Sequence, residues 1–256
     1  MRTLILGFLV VGLSILAAHI GLRIVRRLVP LAVLETHHEV AGFIIGVLGA
    51  IYAVLLAFVV VIMWDQYGEA RANIEQEANQ LNSLAHLAQG FPDQTRGRLL
   101  FQMQAYAQSA IDDEWPAMEQ GNESGRTQVA LDDLWRAQLD IDPQTNRETT
   151  LYQESLDHLD EMSASRRLRL YASRDDLPLV IQFLLWGGGM ITIAFTYFFG
   201  VKSIRSQALM TAALAGVIAF ILFLVLALDN PFHGYVRASP EPLQLVLRRI
   251  QALSSK

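Results

Sequence analysis

Residues 40–63 read VAGFIIGVLGAIYAVLLAFVVVIM, a stretch without a single Asp, Glu, Lys or Arg. A helix needs about 20 mostly apolar residues to cross roughly 30 Å of hydrocarbon. Working outward, three further segments meet that requirement and are equally free of charge: Leu4 to Leu22, Leu177 to Phe199 and Ala208 to Leu228. Between the second and third lies a polar, acidic stretch. This layout predicts an all-α membrane protein: four transmembrane helices, with a helical extramembrane domain inserted between the second and the third. The expected division is 1–63 for transmembrane helices 1 and 2, 64–176 for the acidic helical domain, 177–229 for transmembrane helices 3 and 4, and 230–256 for a C-terminal tail. The mean hydropathy of +0.31, with 52% hydrophobic and 18% charged residues, is far above that of an ordinary soluble chain of 256 residues.

The first apolar run is longer than the 7–15 residue core of a signal peptide, and no small-x-small cleavage site follows it. Arg23, Arg26 and Arg27 come next, as expected of a retained anchor. The chain has no cysteine, which excludes disulfides and thiolate metal sites. Its net charge of −5 hides a division: residues 64–176 carry 21 acidic and 10 basic side chains, and the remainder carries 4 acidic and 10 basic. An acidic domain argues against a nucleic-acid partner, which requires a basic footprint.

The second span shows no stop signal where it leaves the membrane. Trp64 and Tyr67 fit an interfacial aromatic anchor. Helix formers continue through Glu69, Ala70, Arg71, Glu75, Glu77 and Ala78, and apolar residues recur at Ile74, Ala78, Leu81, Leu84, Ala85 and Ala88 at the spacing of one helical face. Gly90-Phe91-Pro92 ends the pattern. One helix of about 50 residues is therefore expected to cross the bilayer and project beyond it, at 1.5 Å per residue. Shorter amphipathic helices follow: one through Leu99, Leu100, Met103, Tyr106, Ala107, Ala110 and Ile111, one around Leu131, Leu134 and Trp135, and one through Tyr152, Leu156, Leu159 and Met162. Arg166, Arg167 and Arg169 sit towards the end of the last, where the helix dipole favours cations. Glu119 to Arg126 is polar with two glycines and reads as a loop.

No catalytic motif is present: no HExxH, GxSxG or Walker sequence, and an enzyme is not expected. His37, His38 and Glu39 at the mouth of the second span lack a distant partner group, so no metal site and no cofactor is assigned. Gly187-Gly188-Gly189 in the third span reads as a kink or a tight helix contact. On the second span, Gly42, Gly46, Gly49, Ala53 and Ala57 form a stripe of small residues containing a GxxxG pair. Such stripes let helix backbones approach closely in lipid, either within one chain or between subunits. The opposite face carries Ile51, Leu55, Phe58 and Ile62, and continued past the membrane it shows Gln66, Glu69, Asn73, Gln76 and Gln80. An apolar band running into polar positions suits a pore-lining helix with a hydrophobic constriction. It equally suits a lipid-facing helix that becomes solvated on leaving the bilayer.

Other landmarks are His38-Glu39-Val40-Ala41-Gly42-Phe43, Tyr52 to Phe58, Trp64-Asp65-Gln66-Tyr67, Glu114-Trp115-Pro116, Leu134-Trp135, Ser206 to Thr211, Asp229-Asn230-Pro231-Phe232-His233-Gly234 and Ser239-Pro240-Glu241-Pro242. Together they resemble the bestrophin-like domain family of largely bacterial membrane proteins, over nearly the whole chain. That family is distantly similar to bestrophins, pentameric anion channels whose second helix lines the pore with an apolar neck. The resemblance implies a homo-oligomeric ion channel in a bacterial inner membrane, with Ile51, Leu55, Phe58 and Ile62 at the constriction. The expected partners are the lipid bilayer, further copies of the chain and inorganic ions. The bestrophin neck motif is matched in character only, and the acidic calcium clasp of animal bestrophins has no counterpart. Asp65 and Glu69 would form carboxylate rings in an oligomer, a charged vestibule that favours cations. Charge in the short loops leans towards a periplasmic acidic domain, whereas bestrophin topology would place it inside. The alternative is a non-conducting membrane scaffold or sensor whose acidic domain binds a protein partner.

Overall fold

The computed structural model describes residues 2–36, 38–175, 177–232 and 236–254. His37, with the side chains of His38 and Glu39, lies outside the described residues. The chain is 85% helical with no strand among those residues. In order, the helices are α1 (Arg2–Leu28), α2 (Leu31–Thr36), α3 (His38–Ala88), α4 (Asp93–Ser109), α5 (Trp115–Met118), α6 (Gly125–Leu139), α7 (Asn146–Ala172), α8 (Leu179–Phe195), α9 (Ile204–Leu228) and α10 (Glu241–Ser254). A π turn, Ala110–Glu114, joins α4 to α5, and a 3-10 turn, Thr196–Phe198, follows α8.

Four of these helices are long and apolar enough to cross a membrane: α1, the first part of α3, α8 with its 3-10 extension, and α9. The protein is thus an all-helical membrane protein. The uninterrupted α3 is 51 residues long, because no residue between Val40 and Ala88 is a Pro and the lone Gly68 in its polar part is followed by good helix formers. It stops where Gly90 and Pro92 make continuation unfavourable. Pro30 follows the end of α1, and the six residues after it form the short helix α2, since Pro is well tolerated at a helix start.

The chain divides into two compact units. The first comprises Met1–Trp64 and Asp176–Asp229; the second comprises Asp65–Asp175 and Asn230–Lys256. In the first, α1 packs along α9, with Ala18, Leu22, Ala215, Ile218, Ala219 and Leu222 buried. Close approach there needs glycine: a Cβ on Gly7 would stand 2.9 Å from the Phe223 ring. Two of the three consecutive glycines of α8 have a similar cause, Gly187 meeting nothing within 4 Å. A Cβ on Gly188 would stand 2.6 Å from the Tyr52 ring and one on Gly189 would stand 2.9 Å from its hydroxyl, which donates to Leu185 O at 2.8 Å. The glycines therefore receive an aromatic side chain of α3, and α8 remains a continuous helix. At one end, Arg26 donates to Gln207 Oε1 at 2.9 Å and to Val201 O. The buried Gln207 amide donates to Thr196 O at 3.0 Å and Phe199 O at 2.9 Å. At another, Asp229 accepts from Leu177 N at 2.9 Å.

The second unit has its own apolar core. The α3 positions read as one face (Ile74, Ala78, Leu81, Leu84, Ala85 and Ala88) are all buried, as are Leu99, Leu100, Met103, Tyr106, Leu131, Leu134, Leu159 and Met162. Burial of the Leu, Ile and Met side chains among these stabilises by about 1.5–3 kcal/mol each. The C-terminal residues join this core: α10 buries Leu243, Val246, Leu247 and Ile250, at helical spacing, and packs on α4.

Candidate functional site

At 3.6 residues per turn, α3 sorts its residues into distinct faces. Tyr52, Leu56, Val59 and Met63 are buried within the first unit. Ile51, Phe58 and Ile62 are exposed, Ile51 and Phe58 each by 65%, and Leu55 is half-buried. Within the second unit Asp65 and Glu69 are exposed as well. These positions are among the many that α3 leaves uncovered by its own chain, together with Phe43, Val47, Val54, Val61 and Trp64.

The small-residue stripe is also little used within the chain. Gly42 has only Phe199 nearby, at 3.8 Å from an added Cβ, and Gly46 and Gly49 have nothing within 4 Å. Ala53 and Ala57 are exposed. Gly49, Ala53 and Ala57, with Val60, face Leu214 and Val217 of α9 across an apolar groove of about 550 Å³. This surface can accept a further helix, because small residues permit the close backbone approach that drives association in lipid.

A second constellation lies in the acidic unit, and sequence spacing did not single it out. Arg169 of α7 is completely buried. Its Nε and Nη2 donate to the two carboxylate oxygens of Glu77 at 2.6 and 2.9 Å, and Nη2 also reaches Glu114 at 2.8 Å. Arg166, one turn earlier, donates to Glu114 at 3.1 and 2.5 Å and to Gln128 Oε1 at 2.7 Å. The Tyr106 hydroxyl donates to Glu77 at 2.6 Å. The guanidinium of Arg169 lies 5.0 Å from the Trp115 ring centroid, and Trp115 meets Phe232 edge-on at 5.8 Å. The π turn that ends at Glu114 delivers this carboxylate to the cluster; such turns shift the register of a helix locally. Two carboxylates balance two guanidiniums, so the cluster is neutral and hydrogen-bonded throughout, which is what buried ions require.

Electrostatics follow from the geometry. Burial alone would lower the pKa of Arg169, but the charge and hydrogen bonds of Glu77, with the charge of Glu114, outweigh it and raise the pKa above its ordinary value. The same opposition, with Glu114 as the partner, raises Arg166. Burial, then the charge of Glu77, pushes the Tyr106 phenol well above its usual range. These groups are locked in one protonation state at neutral pH, and the cluster is suited to holding α3, α4, α6 and α7 together rather than to proton transfer. Among the described residues, no group of three or more His, Cys, Asp or Glu is arranged to share a metal ion.

Comparison with known proteins agrees with this architecture. No curated protein matches the chain in sequence. Solved structures match over nearly full length. One is a membrane protein variant at 13% identity and TM-score 0.73, covering 98% of this chain and 99% of that one. Two single-residue variants of a bacterial bestrophin homologue from Klebsiella pneumoniae match at 12% and 11% identity, with TM-scores of 0.71 and 0.72. They cover 96% and 97% of this chain and 99% of theirs. At such identities the likeness is one of fold. The family model of the Bestrophin-like domain matches residues 12–243. With nine-tenths of its length matched by that model and its four apolar helices in place, the chain belongs to the Bestrophin-like domain family.

Proposed function

We propose that this protein is a homo-oligomeric ion channel whose pore is lined by α3, pentameric like the bestrophins its family resembles. The observation that carries the reading is the uncovered face of α3. In a single chain it leaves Ile51, Phe58 and Ile62 exposed and Leu55 half-buried, followed by the exposed carboxylates of Asp65 and Glu69. Around an axis, the first four would form an apolar constriction that gates by dewetting, and the last two would form carboxylate rings that attract cations. The stripe Gly42, Gly46, Gly49, Ala53 and Ala57 would serve subunit packing. In this reading the acidic residues 64–176 form an extramembrane domain inserted between the second and third spans. The setting is a bacterial inner membrane, and the arginines and lysine of the short loops favour a periplasmic acidic domain by the positive-inside rule. Membership of a family that resembles channels fits a non-enzymatic role.

The test is single-channel recording of purified protein in planar bilayers. Phe58→Ala and Ile62→Ala are expected to raise conductance severalfold by widening and wetting the constriction. Glu69→Gln is expected to lower cation preference. Native currents that none of the three substitutions alters would remove α3 from the pore. Absence of any flux, with capture of a protein by the acidic domain, would favour the non-conducting scaffold or sensor.

A further inference from the structure

One end of the first unit is strongly basic. The last turns of α1 carry Arg23, Arg26 and Arg27, and the connection into α9 carries Lys202 and Arg205. Two contacts bring these segments together. Arg26 bonds Gln207 and Val201 O, and Gly21 packs on Tyr197, whose hydroxyl lies 2.7 Å from where a Cβ on Gly21 would stand. Arg26 is consumed by that joint. Arg23, Arg27, Lys202 and Arg205 are exposed, and among the described residues none of them makes an ion pair. The acidic residues of this unit are Glu35 and Glu39, between α1 and the body of α3, and Asp176 and Asp229, next in sequence to α8 and α9, against the five basic residues gathered here. The N-terminus of α9, with its own positive partial charge, opens at the same end. Cations placed where membrane helices end attract anionic headgroups.

A separate feature of the same unit is an apolar groove of about 330 Å³ between α1, α8 and α9, its walls including Val10, Ala17, Met190, Ile193 and Leu222. Ser14, Trp186 and Tyr197 are the lining residues with polar side-chain groups, and small residues at Ala18, Gly189, Ala215 and Ala219 leave room in it. Tyr197 marks the end of this groove beside Gly21, within one turn of Arg23. A ligand that satisfies both features has a long apolar chain and an anion at one end.

We propose that this groove and basic end form a site for an anionic phospholipid, with an acyl chain between α1 and α8 and the headgroup phosphate held by Arg23, Arg27, Lys202 and Arg205. The site goes beyond the channel reading and stands whether or not the protein conducts. Trp186 lines the groove and supplies the probe. The full-length protein, carrying Trp64→Phe and stripped of co-purified lipid in detergent, is titrated with phosphatidylglycerol or phosphatidylcholine of identical brominated chains. Quenching of Trp186 is the readout, taken as the quenched fraction above the background of Trp115 and Trp135 in the second unit, which Trp186→Phe measures. Phosphatidylglycerol is expected to bind about tenfold more tightly, in line with the attraction of clustered basic residues to anionic lipid. The combined variant Arg23→Gln/Arg27→Gln/Lys202→Gln/Arg205→Gln, which leaves Arg26 in place, should bind both lipids equally. Ala17→Phe should weaken both, and a short-chain phosphatidylglycerol should bind the unaltered protein more weakly, which covers the case in which Ala17→Phe misfolds. Equal binding of the two headgroups by the protein with native basic residues overturns the proposal. So does an undiminished preference in the quadruple variant with native circular dichroism. Protection by glycerol phosphate at the concentration where phosphatidylglycerol acts would identify a soluble phosphate site and refute the lipid.

Discussion

Replacing Arg169 by Met tests whether the buried cluster holds the acidic unit together. The guanidinium makes three charged hydrogen bonds of 2.6, 2.9 and 2.8 Å to Glu77 and Glu114, both fully buried. After Arg169→Met, Glu114 keeps Arg166, but Glu77 is left with the Tyr106 hydroxyl alone. Breaking a buried pair by removing one partner costs about 3–5 kcal/mol, because the remaining charge stays desolvated. The lost cation–π contact with Trp115 adds about 1 kcal/mol. A destabilisation of about 4–6 kcal/mol is therefore expected, less whatever relaxation lets water reach Glu77. Adding Glu77→Gln to Arg169→Met removes the orphaned charge, so the double variant should fall short of the sum of the singles by about 2–3 kcal/mol. Urea unfolding of the full chain in detergent, followed by far-ultraviolet circular dichroism, measures both quantities. A cost for Arg169→Met below about 1 kcal/mol, the range of exposed ion pairs, would refute the account of the cluster, as would strict additivity.

Two further perturbations probe separate parts of the fold. Gly188→Ala places a Cβ 2.6 Å from the Tyr52 ring and should destabilise the first unit by about 1–3 kcal/mol through overpacking. Gly187→Ala, which meets nothing within 4 Å, should instead stabilise by about 0.5–1 kcal/mol; thermal melting of the helical signal compares them. Tyr106 gives a pH dependence. Its folded pKa is raised by burial and then by the charge of Glu77, so the folded state favours the neutral phenol. The resulting stability is complete below the unfolded value of about 10 and declines as pH rises above it. Melting temperatures should fall on raising the pH beyond about 10, and Tyr106→Phe should flatten that fall while lowering stability at neutral pH by about 1–2 kcal/mol for the lost hydrogen bond. An equally steep alkaline fall in the variant would assign the effect elsewhere.

Much of the architecture was legible because it depends on local properties. Uncharged length marks a span, and no breaker between Val40 and Ala88 marks one long helix. The apolar face from Ile74 to Ala88 proved to be the buried face, since periodicity and burial have the same cause. The buried charges were not legible in this way. Arg166 and Arg169 look like cations complementing the end of α7, and Glu77 looks like a helix former on α3. Their partnership joins positions 92 residues apart, and no periodicity reports on pairs at that separation. The best available signal was Glu114-Trp115-Pro116, noted only as a family landmark.

What the sequence determined by itself is which segments are apolar enough for hydrocarbon and which are polar and acidic, and that each apolar stretch is a helix, because a lone apolar stretch in lipid can satisfy its backbone only in that form. Tertiary structure decided which faces those helices cover. It put Tyr52 into the glycines of α8, Leu243 to Ile250 of α10 into the core of the acidic unit, and two arginines between two glutamates. It also left Ile51, Phe58 and Ile62 uncovered. Partition between water and lipid is a property of a segment, whereas covering a face is a property of a pair of surfaces, and only the folded chain brings the two surfaces together.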